Sequence, residues 1–403
     1  MEPSVSILLL PPLQSASPGA FNAAYGDTIS RVLKEVSSQS SQTSQAAVLE
    51  IALALPELAG KQHAPRSSLY DTVHARIAAI YKLICVLAAK DSINVEDSQG
   101  VDVRILLLAW SPDGTTTGPA YGSAVVDIQT LAQSGRQWVH VYGVKSDAGE
   151  ALTKAFEVAK DPGEQGDHMY GADGQPSRQP DEKVQRPSAT SPQPKGDVSE
   201  SRNLHVAVGG TFDHLHIGHK LLLTMTLFAV DSSPDKKDTE RSATIGITGD
   251  QLLVNKKHAE VLESWSDRQH AVQRFLDSIL NFTRSPPRTT TRDTPGPNGK
   301  SVDLHYPGDF IVKCTEIQDL FGPTITEEQI STLIISGETR SGGKAVNDKR
   351  KEKGWAELEV FEVDVLDAED EGAEVKEGFG SKLSSTAIRE KLARQTGAVG
   401  SKM

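Results

Sequence analysis

The sequence predicts an α/β protein made of a smaller N-terminal α/β domain, a flexible linker and a C-terminal domain built on a parallel sheet. Three observations support this fold class. Residues 203–403 alternate short apolar runs with helical stretches, residues 1–160 mix both kinds of segment, and residues 161–202 contain almost no aliphatic side chains. Strands that alternate with helices form βαβ units, whose parallel sheet is covered by helices on both faces.

The segment of residues 161–202 is interpreted as a flexible linker. It is rich in Pro, Gly, Ser, Gln and charged residues. Such a segment buries too little apolar surface to offset the entropy lost on ordering. The predicted domains are therefore residues 1–160 and 203–403.

The N-terminal domain contains both strand and helix patterns. The runs SVSILLL, VDVRILLLAW and QWVHVYGV predict strands, and the periodicity of SLYDTVHARIAAIYKLICVLAAK predicts a helix. We find no motif there that carries chemistry, and His74 and His140 are interpreted as helix-surface or strand residues. The role of residues 1–160 is open between assembly with other enzymes, regulation and stabilisation of the second domain.

The C-terminal domain alternates more regularly. LHVAVGG, SATIGITG, DFIVKCTEI, STLIISGET and LEVFEVDVL predict strands, and GHKLLLTMTLFAV, SDRQHAVQRFLDSILNF and SSTAIREKLARQ predict helices. Residues 231–242 and the stretches RSPPRTTTRDTPGPNGKS and DAEDEGAEVKEG are predicted to be surface loops. Residues 203–403 are thus expected to form a parallel sheet.

The composition argues against several classes of protein. A net charge of −12 over 403 residues argues against binding to nucleic acid or to a membrane surface. No run approaches the roughly 18 uncharged apolar residues of a membrane helix, and MEPSVSILLLPPL lacks the basic region of a signal peptide. Cys85 and Cys314 are the only cysteines, too few for a disulfide framework or a cysteine zinc site. We expect a reducing compartment, the cytoplasm or the nucleus.

The stretch GGTFDHLHIGHKLLL, residues 209–223, places three histidines within six residues at the entrance to a predicted helix. In an open parallel sheet, ligands bind beyond the carboxyl ends of the strands. Helix N-termini attract anions through free N–H groups and a positive dipole end. Gly209 and Gly210 would let a bulky anion approach the backbone, and His216 and His219 are spaced to face one ligand. The stretch therefore predicts a phosphate site.

GGTFDHLHIGH resembles the signature of the HxGH, or cytidylyltransferase-like, nucleotidyltransferase superfamily. GTFD is more particular to phosphopantetheine adenylyltransferases, and the histidines are closer to the eukaryotic, fungal-like members. The resemblance implies a Rossmann-like domain in which His219 stabilises the transition state. It implies that these residues of the stretch bind ATP: Gly210, Thr211, Phe212, His216 and His219. His214 stands where the common bacterial pattern has proline, and its role is open.

Two further segments resemble the eukaryotic enzymes. The segment GITGDQLLVNKKHAEVLESWSDR contains the pair Lys256 and Lys257. One of these lysines would bind the phosphate of the acceptor as a movable point charge, and which of the two does so is open. ISGETRSGGKAVNDKRKEKG matches a TxxGGxxxNxxR pattern that ends at Arg350, which implies an ATP contact there. Six basic residues lie between Arg340 and Lys353, and they are expected to form a local phosphate clamp.

The segment KLSSTAIREK resembles a closing SSTxIR motif. Ser384, Ser385 and Thr386 begin a predicted helix, so their hydroxyls and free N–H groups would meet the β- and γ-phosphates of ATP. N-capping of the helix is the alternative role, and both roles are compatible.

The resemblance implies transfer of the adenylyl group from ATP to 4'-phosphopantetheine, giving dephospho-coenzyme A and pyrophosphate in coenzyme A biosynthesis. The implied catalytic residues are His216, His219 and Lys257. The implied acceptor-binding residues are Thr211, Lys256, Lys257 and Arg340. Mg²⁺ would enter with ATP and keep several waters, so no metal-ligating residues are predicted. Other coenzyme A enzymes are candidate partners of the N-terminal domain.

Two alternatives remain open. The chain could be another HxGH nucleotidyltransferase, either a cytidylyltransferase or an NMN adenylyltransferase, or a non-catalytic nucleotide-binding scaffold. SKLSSTAIR does not match the RTxGISTT-type segment of cytidylyltransferases, and NMN adenylyltransferases lack the TxxGGxxxNxxR pattern. Nucleotide binding without release of pyrophosphate would identify a scaffold.

Overall fold

The computed structural model describes residues 3–15, 17–43, 47–96, 100–115, 123–160, 202–232, 240–283, 285–364, 366 and 384–400. These residues form two sheets with helices packed on them, and the predicted α/β class with parallel strands is confirmed. The predicted linker, residues 161–202, lies outside the described residues apart from Arg202. The predicted loop DAEDEGAEVKEG and most of the predicted loop at residues 231–242 also lie outside them.

The first sheet has five parallel strands in the order β4-β3-β2-β1-β5. The strands are β1 (Val5–Leu10), β2 (Ala47–Ala54), β3 (Val101–Ala109), β4 (Val125–Asp127) and β5 (Trp138–Gly143). The helices are α1 (Pro18–Thr43), α2 (Tyr70–Lys90), α3 (Ile128–Ala132) and α4 (Asp147–Lys160). The central strands β1 and β2 are buried over nearly their whole length, as continuous apolar runs in parallel sheets require.

The second sheet has seven strands in the order β12-β11-β6-β7-β10-β9-β8. The strands are β6 (His205–Gly210), β7 (Arg241–Thr248), β8 (Arg288–Asp293), β9 (Lys300–Tyr306), β10 (Phe310–Ile317), β11 (Thr332–Ser336) and β12 (Glu359–Val363). The helices are α5 (Ile217–Phe228), α6 (Trp265–Leu280), α7 (Arg340–Glu352) and α8 (Ser385–Gly400). Strands β12, β11, β6, β7 and β10 are parallel to one another.

The strands β8 and β9 are antiparallel to their neighbours, so the second sheet is mixed. The stretch RSPPRTTTRDTPGPNGKS was predicted to be a surface loop, but its residues Arg288–Asp293 form the exposed strand β8 and its last two residues begin β9. The strand β8 is exposed at every residue, and an edge strand with no buried face shows no alternation of apolar and polar residues. Its turn uses left-handed backbone at Gly296 and Asn298.

The strand order makes the carboxyl end of β6 a switch point. The chain passes from β6 through α5 to β7 on one side, and later returns from β10 to β11 on the other side of β6. Segments that follow β6, β7 and β11 therefore meet at one edge of the sheet. This is the edge at which open parallel sheets bind ligands.

One hydrophobic core joins the two sheets. A single cluster of buried apolar residues includes Ile77 of α2 as well as Leu223 and Phe228 of α5. The helical stretch Arg66–Lys90 is long and apolar enough to cross a membrane by length and composition alone. In the structure α2 packs against α1 and α5, which is the setting of a core helix.

Polar and aromatic contacts also cross between the sheets. The guanidinium of Arg136, which precedes β5, donates to the carbonyls of Ser278 (2.6 Å) and Asn281 (3.0 Å) at the end of α6. The rings of Tyr70 on α2 and Phe361 on β12 lie 4.5 Å apart between centroids. The described parts of residues 3–160 and 202–400 thus pack as one body.

Because the core is continuous, we expect both sheets to unfold together. Trp110 and Trp138 report on the first sheet, and Trp265 and Trp355 on the second. Phe228 is 1% exposed, so Phe228→Ala should cost about 3–5 kcal/mol of the free energy of unfolding. Urea unfolding of variants that keep one pair of tryptophans should show equal midpoints, lowered equally by Phe228→Ala. Separate midpoints would contradict a shared core.

Candidate functional site

The turn between β6 and α5, residues 211–216, has an unusual backbone. Phe212 and His214 adopt left-handed conformations, with φ of 53° and 45°. His216 is the N-cap residue of α5, and its side chain makes no capping hydrogen bond within the described part of the chain. The first N–H groups of α5 are among the donors that a helix start leaves for a ligand.

The rings of His216 and His219 stack at this helix start. Their centroids lie 3.9 Å apart with the planes 21° apart, and the fully buried ring of Phe212 lies 5.4 Å from His219. A Cβ on Gly218 would come within 3.2 Å of the His216 ring, and a Cβ on Gly210 within 2.9 Å of the Phe212 ring. The two glycines therefore make room for the rings.

Both histidines are neutral at neutral pH. Burial, with smaller contributions from the charges of Lys220 and His214, lowers the pKa of His216 to about 4. Burial, followed by the proximity of His216, lowers the pKa of His219 well below its ordinary value. The Nδ1 atoms of both rings are buried without a hydrogen-bond partner among the described residues. Unpaired buried polar atoms are costly, so this pair is suited to contact a ligand.

The start of α8 lies against the histidine pair. The hydroxyl of Ser385 donates to the carbonyl of Asp213 at 2.9 Å and lies 3.4 Å from Nε2 of His216. The hydroxyl of Ser384 accepts from the N–H of Ala387. Ser384 therefore caps the first turn of α8, and Ser385 lies beside the histidines.

Asp213 and Arg389 form a buried ion pair that holds α8 in this place. Arg389 donates to Asp213 at 2.6 Å, and the two side chains are 3% and 0% exposed. The other carboxylate oxygen of Asp213 accepts from the N–H of Glu263, and Nε of Arg389 donates to the carbonyl of Lys257. Neither Asp213 nor Arg389 was assigned a role from the sequence, although GTFD ends in one and SSTxIR in the other.

Arg268 of α6 holds the other side of the turn. Its buried guanidinium donates to the carbonyls of Thr211 (2.7 Å) and Glu263 (3.0 Å) and to the carboxylate of Asp250 (2.6 Å). Arg268 thus fixes the backbone at Thr211, one of the predicted ATP-binding residues. Arg268 is a further residue that the sequence did not single out.

The structure places the predicted acceptor-binding residues on two sides of β6. Lys256 and Lys257 are exposed in the segment after β7, and Thr211 follows β6. Arg340 begins α7 after β11 and forms two hydrogen bonds with Glu362 of β12. The strand β6 lies between β7 and β11. Arg340 is therefore on the opposite side of β6 from the lysine pair.

The structure places Arg350, an expected ATP contact, among backbone carbonyls around α7. Its side chain is 1% exposed. The guanidinium donates to four backbone carbonyls, those of Thr324, Glu328, Ile330 and Ala356. Its hydrogen-bonding capacity is therefore used on the backbone around α7. A basic residue in a motif looks the same in sequence whether it binds a ligand or carbonyls.

The remaining predicted residues of the TxxGGxxxNxxR pattern also support the backbone. Asn347 exchanges two hydrogen bonds with the backbone of Leu358, at the entry to β12. Thr339 forms a capping box with Ser336. Thr386 of the SSTxIR motif is exposed and accepts from Arg389. The polar side chains of Asn347, Thr339 and Thr386 thus all have partners within the described part of the chain.

Asp213, His214 and Glu263 offer potential metal ligands within 4.8 Å of one another, but they do not fit a divalent cation. Asp213 is paired with Arg389, and Glu263 accepts from the N–H of His214. Nε2 of His214 lies 2.9 Å from the carbonyl of Val261. The three side chains hold the turn together, which also gives His214 a structural role.

Comparisons with known proteins agree with the predicted resemblance. Residues 207–391 match the family model Cytidylyltransferase-like, and residues 1–169 match the model Domain of unknown function (DUF8446). The predicted resemblance of the second part of the chain is confirmed. Residues 207–391 are thus similar to cytidylyltransferase-like domains.

Three relatives show the range of similarity. An uncharacterized protein of Schizosaccharomyces pombe is 37% identical over 207 residues, 50% of this chain and 54% of that protein. The phosphopantetheine adenylyltransferase of Saccharomyces cerevisiae is 34% identical over 48% of this chain and 50% of that protein. That of Methanothermobacter thermautotrophicus is 28% identical over 46% and 82%. The chain thus spans about half the length of the first two relatives.

The lowered pKa values predict how stability depends on pH. The unfolded chain takes up protons at its histidines below their ordinary pKa of 6.5, whereas folded His216 does so only near pH 4. The free energy of unfolding should therefore fall as pH drops through this window, by up to about 3 kcal/mol for His216. His216→Gln should reduce the fall, measured by urea unfolding. His270→Gln, on the exposed face of α6, should leave it unchanged; equal slopes in both variants would contradict the assignment.

Proposed function

We propose that the cytidylyltransferase-like domain transfers the adenylyl group of ATP to 4'-phosphopantetheine, giving dephospho-coenzyme A and pyrophosphate. One observation carries the proposal: the stacked pair of His216 and His219, with unpartnered Nδ1 atoms, at the start of α5. Relatives named phosphopantetheine adenylyltransferase match 48% and 46% of the chain. Their name supports the choice of acceptor.

In this proposal the triphosphate of ATP binds where α5 begins. The N–H groups of its first turn, the two histidines and the hydroxyl of Ser385 converge there. Preorganised donors at the oxygens on which charge develops lower the barrier to transfer. The proposed ATP-binding residues are Gly210, Thr211, Phe212, His216, His219, Ser384, Ser385 and Thr386.

The acceptor approaches from the side of β7. An oxygen of its phosphate forms a bond to the α-phosphorus of ATP, and the bond from that phosphorus to the bridging oxygen of pyrophosphate breaks. The acceptor phosphate is ionised at neutral pH, so no general base is needed. Lys256 or Lys257 would neutralise its charge and keep two anions aligned, which makes the step effectively unimolecular.

Mg²⁺ enters this scheme as part of the nucleotide substrate, because the cluster at Asp213 does not fit a resident cation. We further propose a reducing compartment, the cytoplasm or the nucleus. Cys85 on α2 and Cys314 on β10 are both free and buried, which supports that proposal. Other coenzyme A enzymes remain proposed partners of the N-terminal domain.

Replacement of His219 tests the reaction directly. In His219→Ala the donor to the transferring phosphoryl group is lost, so kcat should fall by about 10²-fold or more. The full-length chain is incubated with ATP, Mg²⁺ and 4'-phosphopantetheine, and pyrophosphate and dephospho-coenzyme A are measured. Circular dichroism checks that the variant is folded.

The matched control is His270→Ala, which removes an exposed histidine of α6; its turnover should equal that of the wild type. Turnover of His219→Ala within a few-fold of the wild type would refute the proposed role. A wild-type chain that turns over CTP or NMN instead would favour the alternative transferases. ATP binding without pyrophosphate release would favour a scaffold.

Gly218 offers a test of nucleotide binding that leaves the histidines in place. The methyl group of Gly218→Ala would press on the His216 ring at 3.2 Å, so the dissociation constant for ATP should rise roughly tenfold or more. Gly342→Ala is the control, since a Cβ at Gly342 on α7 would meet no described atom within 4 Å. Calorimetric titration with ATP measures both. Equal affinities would contradict a binding site formed by the His216 ring.

A further inference from the structure

The helix α5, which carries the two histidines, is buried on every side. All of its residues from Lys220 to Phe228 are buried. In a sheet covered by one layer of helices, the outer face of each helix is exposed to solvent and polar. Here α2 of the first domain packs against α5. The first domain therefore supplies the outer contact of the helix on which the site is built.

A buried ion pair ties the first turn of α5 to the first sheet. Lys220, which directly follows His219, donates from Nζ to the carboxylate of Asp102 at 2.6 Å and to the carbonyl of Val103 at 3.1 Å. The Lys220 side chain is 7% exposed. Both acceptors lie on β3. Arg104 donates to the same carboxylate at 2.6 Å, which fixes its orientation.

A second set of contacts holds the other end of the helix. The carboxylate of Asp231, three residues beyond α5, accepts from the backbone N–H of Arg66 at 2.6 Å and from that of Asn203 at 2.8 Å. The guanidinium of Arg66 lies 5.3 Å from the ring centre of Phe228. The helix is thus fastened to the first domain at both ends, with the histidines beside the Asp102 contact.

We infer that Asp102 is a positioning residue for the active site: through Lys220 it fixes the first turn of α5 and so the placement of His216 and His219. The inference rests on the proposed function and assigns residues 1–160 a part in it. Asp102 touches neither histidine and contributes only through Lys220. The first domain is then a structural component of the catalytic unit.

The chemistry of the pair explains why its loss should affect turnover. A buried ammonium that loses its carboxylate is destabilised and must move toward water or another partner. Lys220 shares its helical turn with His219, so this movement displaces the imidazole. A displacement of about 1 Å at reacting groups can cost 10²-fold in rate. Binding of the acceptor on the β7 side should be unaffected.

The test uses the full-length chain with Asp102→Asn, which keeps the shape of the side chain, and Asp102→Glu, which keeps its charge but shifts the carboxylate by one methylene. We expect kcat to fall about 10- to 100-fold in Asp102→Asn and less in Asp102→Glu. The KM for 4'-phosphopantetheine should stay within twofold of the wild type. If Asp102→Asn does not fold, the kcat of Asp102→Glu alone tests the inference.

Arg136→Gln is the matched control, because it removes contacts between the two domains at the end of α6 and leaves α5 alone. It should lower the unfolding midpoint without changing kcat. A folded Asp102 variant with wild-type kcat would overturn the inference. So would an equal loss of kcat in Arg136→Gln, which would indicate a general effect of domain contacts.

A second measurement separates this inference from the proposed function. Imidazole resonances of His216 and His219, assigned by NMR in the wild-type chain, should shift in Asp102→Asn and stay in place in Arg136→Gln. If the wild type forms no pyrophosphate but these resonances shift, the proposed reaction fails and the positioning role stands. Unshifted resonances in folded Asp102→Asn would overturn the positioning role whatever the activity.

Discussion

The buried ion pair of Asp213 and Arg389 is the interaction on which the candidate site depends. It joins the β6–α5 turn to α8. Through its remaining hydrogen bonds it also fixes the backbone at Glu263, ahead of α6, and at Lys257, after β7. A single buried carboxylate therefore sets the spacing between the histidines, the serine hydroxyls and the lysine segment. Loss of one partner from such a pair typically costs about 3–5 kcal/mol.

The burial of His216 and His219 keeps both rings uncharged. Two protonated imidazoles 3.9 Å apart would repel each other, and burial keeps both neutral. A phosphate placed beside them favours the charged form, because an opposite charge raises the pKa of a histidine. An anion bound beside the pair would therefore favour protonation of its rings.

The turn between β6 and α5 could be predicted from the sequence because its determinants are local. Gly210, Gly218 and the paired histidines lie within one turn and one helix start, where spacing in sequence fixes spacing in the fold. The contacts of Arg350 could not be predicted, because the partners of its guanidinium are backbone carbonyls that the sequence does not show.

The pair of Asp102 and Lys220 spans 118 residues and leaves no local pattern. Its trace in the sequence is the run LLLTMTLF, which has no charged residue, whereas a helix with a solvent-exposed outer face would carry charged residues there. The strand β8 escaped prediction because it buries no face.

The burial of α5 has a consequence for the order in which the chain folds during synthesis. The residues that cover its outer face, on α2 and β3, leave the ribosome before α5 does. A partner surface can therefore already exist when this apolar helix emerges, which shortens the time in which it could bind chaperones or other nascent chains. Made without residues 1–160, the second domain would display an uncovered apolar helix. In translation from the N-terminus, the surface on which α5 packs is thus made before α5 itself.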